Sequence, residues 1–126
     1  MDTGKPSLVE PETSRIVLDA FFAVYRSLGY GFLEAVYENA MIVALREAGL
    51  RPVQQAPLKV RFRGQVVGDY RADILIPGVL LLEIKSASSL VPAHGAQLIN
   101  YLKATGLRVG MLLNFGPRPT FRRKAN

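Results

Sequence analysis

From Thr13 onward apolar residues recur at helical spacing. Val17, Ala20, Phe21, Val24 and Leu28 make one stripe, and Gly29 supplies a stop. A second helical stretch runs from Phe32 to Ala48 and ends at Gly49. Val53 to Val67 then alternates in part and carries a turn signal at Arg63-Gly64, which predicts a strand pair. Two further strands follow, "YRADILI" and "VLLLEIK", joined at Pro77 and Gly78. Pro92 to Thr105 reads as a helix, with Pro92 suited to its first turn and Gly106 to its stop. "RVGMLLNF" is a buried final strand, with a short edge pairing around Thr120 to Arg122. The order helix, helix, three or four strands, helix, strand predicts a mixed α/β sandwich. Residues 1–12 read as a polar, proline-containing leader and 13–126 as a single domain.

Parity sharpens the reading of the two strands around Pro77. Even positions are Ala72, Ile74, Ile76, Leu80, Leu82 and Ile84, all apolar, whereas the odd positions include Arg71, Asp73, Glu83 and Lys85. Side chains alternate faces along a strand, so the four charges are expected on one face. A two-residue loop would set Asp73 opposite Leu82 and mix the faces. A three-residue loop that includes Val79 sets Asp73 opposite Glu83, with Ile74 opposite Leu82. Facing residues have Cβ atoms about 4.5–5.5 Å apart, close enough for two carboxylates to share one cation. Mg²⁺ or Mn²⁺ takes such oxygen ligands, and the Ile84 backbone carbonyl would add a third. Lys85, on the same face as Glu83, is placed to orient or deprotonate a water there. The alternative is a cross-strand salt bridge of Arg71 or Lys85 on a solvated face; Leu75, Val79 and Leu81, which share the odd face, weigh against it.

Composition narrows the chemistry. The 126 residues contain no cysteine and one histidine, His94, which excludes disulfides, thiolate sites and multi-histidine zinc sites. The net charge is +6, with the excess concentrated in "RPVQQAPLKVRFRG" and "RPTFRRK", so a polyanion is a reasonable partner. No apolar run is long enough to span a bilayer, and the first ten residues lack the pattern of a signal peptide. A cytoplasmic protein without a membrane role is expected.

An acid in one strand, Asp73, followed by Glu83-Ile84-Lys85 in the next, resembles the PD-(D/E)xK nuclease superfamily. "GFLEAVY" is similar to the motif of the GxxExxY family of small, mostly prokaryotic proteins assigned to that superfamily. Gly31, Glu34 and Tyr37 stand at its named positions. The similarity continues through "GDYRADILI", "LLEIK", "AHGAQLINYLKATG" and "GMLLNFG", and departs at Tyr25, where relatives often carry His. The resemblance implies a restriction-endonuclease-like αβββαβ core with an N-terminal helical hairpin. It also implies a Mg²⁺- or Mn²⁺-dependent nuclease acting on DNA more than on RNA.

On that resemblance Glu34 is a third metal carboxylate beside Asp73, Glu83 and Ile84. Read from spacing alone, Gly31 is a helix N-cap and Glu34 its N3 acid. Tyr37 belongs either to the site or to the core. His94, Gln97 and Tyr101 fall on one helical stripe. Gln97 and Tyr101 resemble the QxxxY feature of exonuclease-type members, where amide and phenol hold nucleic acid or the catalytic lysine; core packing is the alternative for Tyr101, and His94 reads as a helix-start residue. Arg61, Arg63, Arg122 and Arg123 are candidates for phosphate contact, or for the charges of a protected sheet edge. Two other readings stay open: a non-catalytic module binding nucleic acid or a protein partner, and a structural cation site without turnover. A homodimer would help so small a nuclease surround its substrate.

Overall fold

The computed structural model describes residues 10–125. Helices α1 (Pro11–Leu28) and α2 (Glu34–Glu47) lead into strands β1 (Val53–Phe62), β2 (Gln65–Ile76) and β3 (Leu80–Lys85). Helix α3 (Pro92–Thr105) then precedes β4 (Val109–Phe115) and β5 (Pro119–Ala125). The five strands form one sheet in sequence order, antiparallel except for β3 and β4, which α3 connects as a parallel pair.

The apolar runs of β3 and β4 follow from this layering, since both central strands are covered on two faces. On one face α1 and α2 bury Val17, Phe21, Tyr37, Met41 and Leu45 against Ile74, Leu82, Ile84, Met111 and Phe115. On the other, Leu98 and Leu102 of α3 pack on Ala56, Leu58, Leu81 and Leu112. The β1–β2 hairpin leaves Phe62, Val66 and Val67 exposed toward its tip. Its turn places Arg63 at φ 50° and Gly64 at φ 78°, the backbone of a tight two-residue hairpin.

Several predicted boundaries shift: the second strand of the pair expected within Val53–Val67 and the separate strand expected at "YRADILI" are one continuous strand, β2, and α2 starts at Glu34 rather than Phe32. Helix α1 begins at Pro11, inside the expected leader, because proline suits a first helical turn; residues 1–9 lie outside the described residues. The edge pairing expected at Thr120–Arg122 is a full strand, paired with β4 from Pro119 to Ala125.

The β2–β3 turn spans Pro77–Val79, and Ile74↔Leu82, Leu75↔Leu81 and Ile76↔Leu80 are the paired residues. That is the three-residue register expected from parity. The expectation of one uniform even face does not hold: Ala72 packs with Leu81 and α3, while Ile74 packs with α1 and α2. Both strands of the hairpin change face here. Gln54↔Ile74 and Ala56↔Ala72 are paired, but Gln55 between them is left-handed, at φ 53°, and interrupts the alternation.

Candidate active site

The change of face leaves Asp73 where β2 and β3 part. Beyond Ile74↔Leu82 the ladder stops, and the Asp73 carboxylate replaces it: Ile84 N donates to Asp73 Oδ2 at 2.7 Å. The other oxygen, Oδ1, accepts from Gln55 Nε2 at 3.4 Å. Gln55 Nε2 also donates to Glu38 Oε1 at 2.9 Å, and Gln54 Nε2 donates to Glu38 Oε2 at 2.6 Å. Glu38, buried on α2, thus braces the two glutamines, one of which touches Asp73. The guanidinium of Arg71 donates to the Gln55 carbonyl at 3.0 Å, so it stabilises the irregular backbone.

Glu83 is 5% exposed, and its Oε1 is buried without a hydrogen-bond partner. A solvated salt-bridge face is therefore ruled out for it. Burial, and then the neighbouring Asp73 carboxylate as hydrogen-bond partner and like charge, push its pKa up from 4.5 to about 9, with Lys85 opposing. That shift favours the neutral Glu83 carboxyl at neutral pH. An unpartnered buried oxygen in an all-oxygen donor set is also what a hard divalent cation requires in place of that proton, so these residues fit one.

Glu34 stands apart from this pair. The N-cap of α2 is Leu33, not Gly31, so Glu34 is the first residue of the helix, and its Oε2 accepts from Ser86 N at 3.2 Å. Gly31 sits at φ 119°, a conformation that side chains disfavour, and turns the chain toward α2. Among the described residues, no three His, Cys, Asp or Glu side chains come together as a metal-holding group. Tyr37 is wholly buried: its hydroxyl donates to Gly29 O at 2.6 Å and accepts from Phe32 N at 3.1 Å, while its ring stacks on Phe115 with centroids 4.3 Å apart. It locks the loop that delivers Glu34. The phenol of Tyr25 fixes a second loop, donating toward Gly116 O at 2.7 Å and Pro117 O at 3.0 Å.

After Lys85 the chain is held by Asn114. Its Oδ1 accepts from Ala87 N at 2.9 Å and its Nδ2 donates to Ala87 O at 3.1 Å. One polar residue within the apolar run "GMLLNF" was the available signal. Gly116 completes the clamp, because a Cβ there would lie 2.3 Å from Ala87 O. His94 is a helix-start residue as expected: its Nδ1 accepts from Val91 N at 3.2 Å.

Tyr101 of α3 packs on Tyr70, and burial first, then the charges of Glu83, Tyr70 and Asp73, raise its pKa. Gln97 is exposed on the same helix. The four arginines do not share a surface. Arg61 lies beside α3, whereas Arg63 sits at the hairpin tip with its guanidinium 4.9 Å from the Phe62 ring centroid. Arg122 pairs with Leu112 of the α3 layer, and Arg123 with Met111 of the α1 layer, where its Nε donates to Ser14 Oγ at 3.2 Å.

Residues 11–124 match the sequence family described as the PD-(D/E)XK nuclease superfamily. The chain belongs to that superfamily. Among solved structures, the crystal structure of SSO0001 matches this PD-(D/E)XK chain with a TM-score of 0.57 at 20% identity, covering 93% of the chain and 59% of SSO0001. That likeness concerns the fold alone, and the chain spans under two thirds of SSO0001. No curated protein matches the sequence. Members of the PD-(D/E)XK superfamily generally use divalent metals and act on nucleic acid, in keeping with the paired carboxylates. No helix among the described residues is long and apolar enough to cross a membrane.

Proposed function

We propose that this PD-(D/E)XK protein is a Mg²⁺- or Mn²⁺-dependent nuclease that hydrolyses phosphodiester bonds, in DNA in preference to RNA. The observation that carries the reading is the buried Glu83 with its unpartnered Oε1, beside the half-buried Asp73 where β2 and β3 separate. Asp73 and Glu83, with the Ile84 carbonyl, would hold the cation. When bound, such a cation neutralises charge developing on the scissile phosphate and the leaving oxygen. Lys85, two residues along the strand from Glu83, positions the attacking water. Gln97 and Tyr101 steady the substrate from α3, and Arg61, Arg63 and Arg122 meet phosphates. Glu34, held on the Ser86 amide, braces the loop after Lys85 in this arrangement.

Within the superfamily we assign the chain to the GxxExxY group. Each motif residue has work at the α1–α2 junction: Gly31 makes the turn, Glu34 reaches the β3 exit, and Tyr37 closes the loop.

The test is cleavage of labelled single- and double-stranded DNA and RNA in Mg²⁺, Mn²⁺ or EDTA, with Asp73→Ala and Lys85→Ala alongside. Metal-dependent products that vanish in both folded variants are expected. Absence of products from folded wild-type protein on every substrate would overturn the nuclease reading in favour of a binding module.

A further inference from the structure

A cavity of about 650 Å³ lies between the β1–β2 hairpin and α3. It is within the roughly 300–1,000 Å³ range of ligand-sized sites. Three cations line it, Lys59 and Arg61 from the hairpin and Lys103 from α3, and no acidic residue is among its lining. Lys59 also meets Asp69 at 3.5 Å, but both side chains are at least half exposed, so the pair neutralises little. Tyr70 from the hairpin meets Tyr101 from α3, with ring centroids 5.7 Å apart at 45°, and Tyr70 remains 48% exposed. Gln97 and Asn100 of α3 complete the polar lining.

We propose that this groove binds single-stranded nucleic acid, with a base stacked on Tyr70 and the backbone on Lys59, Arg61 and Lys103. Cations in a narrow groove beside an exposed aromatic ring are the combination that single strands require. A duplex buries its base faces in its own stack and cannot present them to Tyr70. This names the substrate class for the nuclease reading and rests on it for what happens at Asp73 and Glu83.

The experiment is fluorescence anisotropy in EDTA, where no cleavage intervenes, with a labelled single-stranded oligonucleotide and the blunt duplex of the same sequence. Single strand is expected to bind at least about 10-fold tighter than duplex, since only it offers free bases for stacking. Tyr70→Ala should weaken single-strand binding by about 5- to 150-fold, the equivalent of one lost base stack. Tyr70→Phe should retain the wild-type affinity, and Lys103→Glu should lose affinity for the strand. Melting curves confirm that each variant is folded. Equal affinity for duplex, equal competition by a poly-glutamate peptide, or wild-type binding by Tyr70→Ala and Lys103→Glu would overturn the proposal. The two readings fail separately: stacking-dependent binding without cleavage in any metal removes the nuclease and leaves the groove, whereas cleavage without single-strand preference removes the groove alone.

Discussion

Glu83 ties stability to pH in a direction opposite to that of a salt-bridged acid. Below about pH 4.5 it carries its proton in both folded and unfolded chains. Between 4.5 and about 9 only the folded chain keeps it, so the unfolded state binds fewer protons and stability falls as pH rises through that window. The metal-free protein is therefore expected to melt at progressively lower temperature from pH 5 to pH 9 as this group titrates. Glu83→Gln should flatten that trend and melt higher than wild type at the alkaline end. Thermal unfolding in EDTA across the range is the measurement, and a wild-type profile matching that of Glu83→Gln would refute the assignment. Part of this environment was legible in the sequence: parity predicts the three-residue β2–β3 turn, but the ladder ends at Ile74↔Leu82, so the expected pairing of Asp73 with Glu83 does not form. The Gln55–Glu38 support was not legible, because a left-handed glutamine within a strand leaves no periodic signal.

The junction between α1 and α2 shows how one side chain sets an element. Tyr37 serves both the core, by stacking on Phe115, and the loop, by bridging Gly29 O and Phe32 N. Tyr37→Phe keeps the ring and removes both hydrogen bonds. It is expected to cost about 1–3 kcal/mol in urea denaturation, the range for leaving buried backbone groups unpaired. Unchanged stability would mean that water replaces the hydroxyl. The helix limits were largely legible because the stripes of α1 and α2 and the stops at Gly29 and Gly106 are local signals. The cap of α2 was misplaced by two residues: glycine at 31 serves the turn before the helix, and Leu33 becomes the cap.

Across the molecule the +6 charge is divided by the sheet, and the division predicts which arginines meet phosphate. Arg61 opens into the groove beside α3, while Arg123 packs toward α1 through Ser14. In a plot of log affinity for a single strand against log salt concentration, Arg61→Ala should reduce the slope by about 0.7, the change for one lost phosphate contact. Arg123→Ala should leave the slope unchanged and lower the melting temperature instead. Equal slopes for wild type and Arg61→Ala would remove Arg61 from the interface. The basic segments were visible in the sequence, but they lie on β1 and β5, opposite edges of the sheet. Their spacing along the chain could not show that separation.

What the sequence determined by itself is local and periodic: the helical stripes, the buried central strands and the register of β2 on β3. These follow from side-chain geometry repeated along a short stretch of chain. The tertiary structure decided what depends on residues distant in sequence. It buried Glu83 without a partner for one oxygen, brought Gln55 and Glu38 to Asp73, clamped Ala87 with Asn114, and set Tyr70 beside Tyr101. A carboxylate's proton affinity and a groove's shape arise from surrounding packing and dielectric, which exist only once the sheet and its helices have closed on one another.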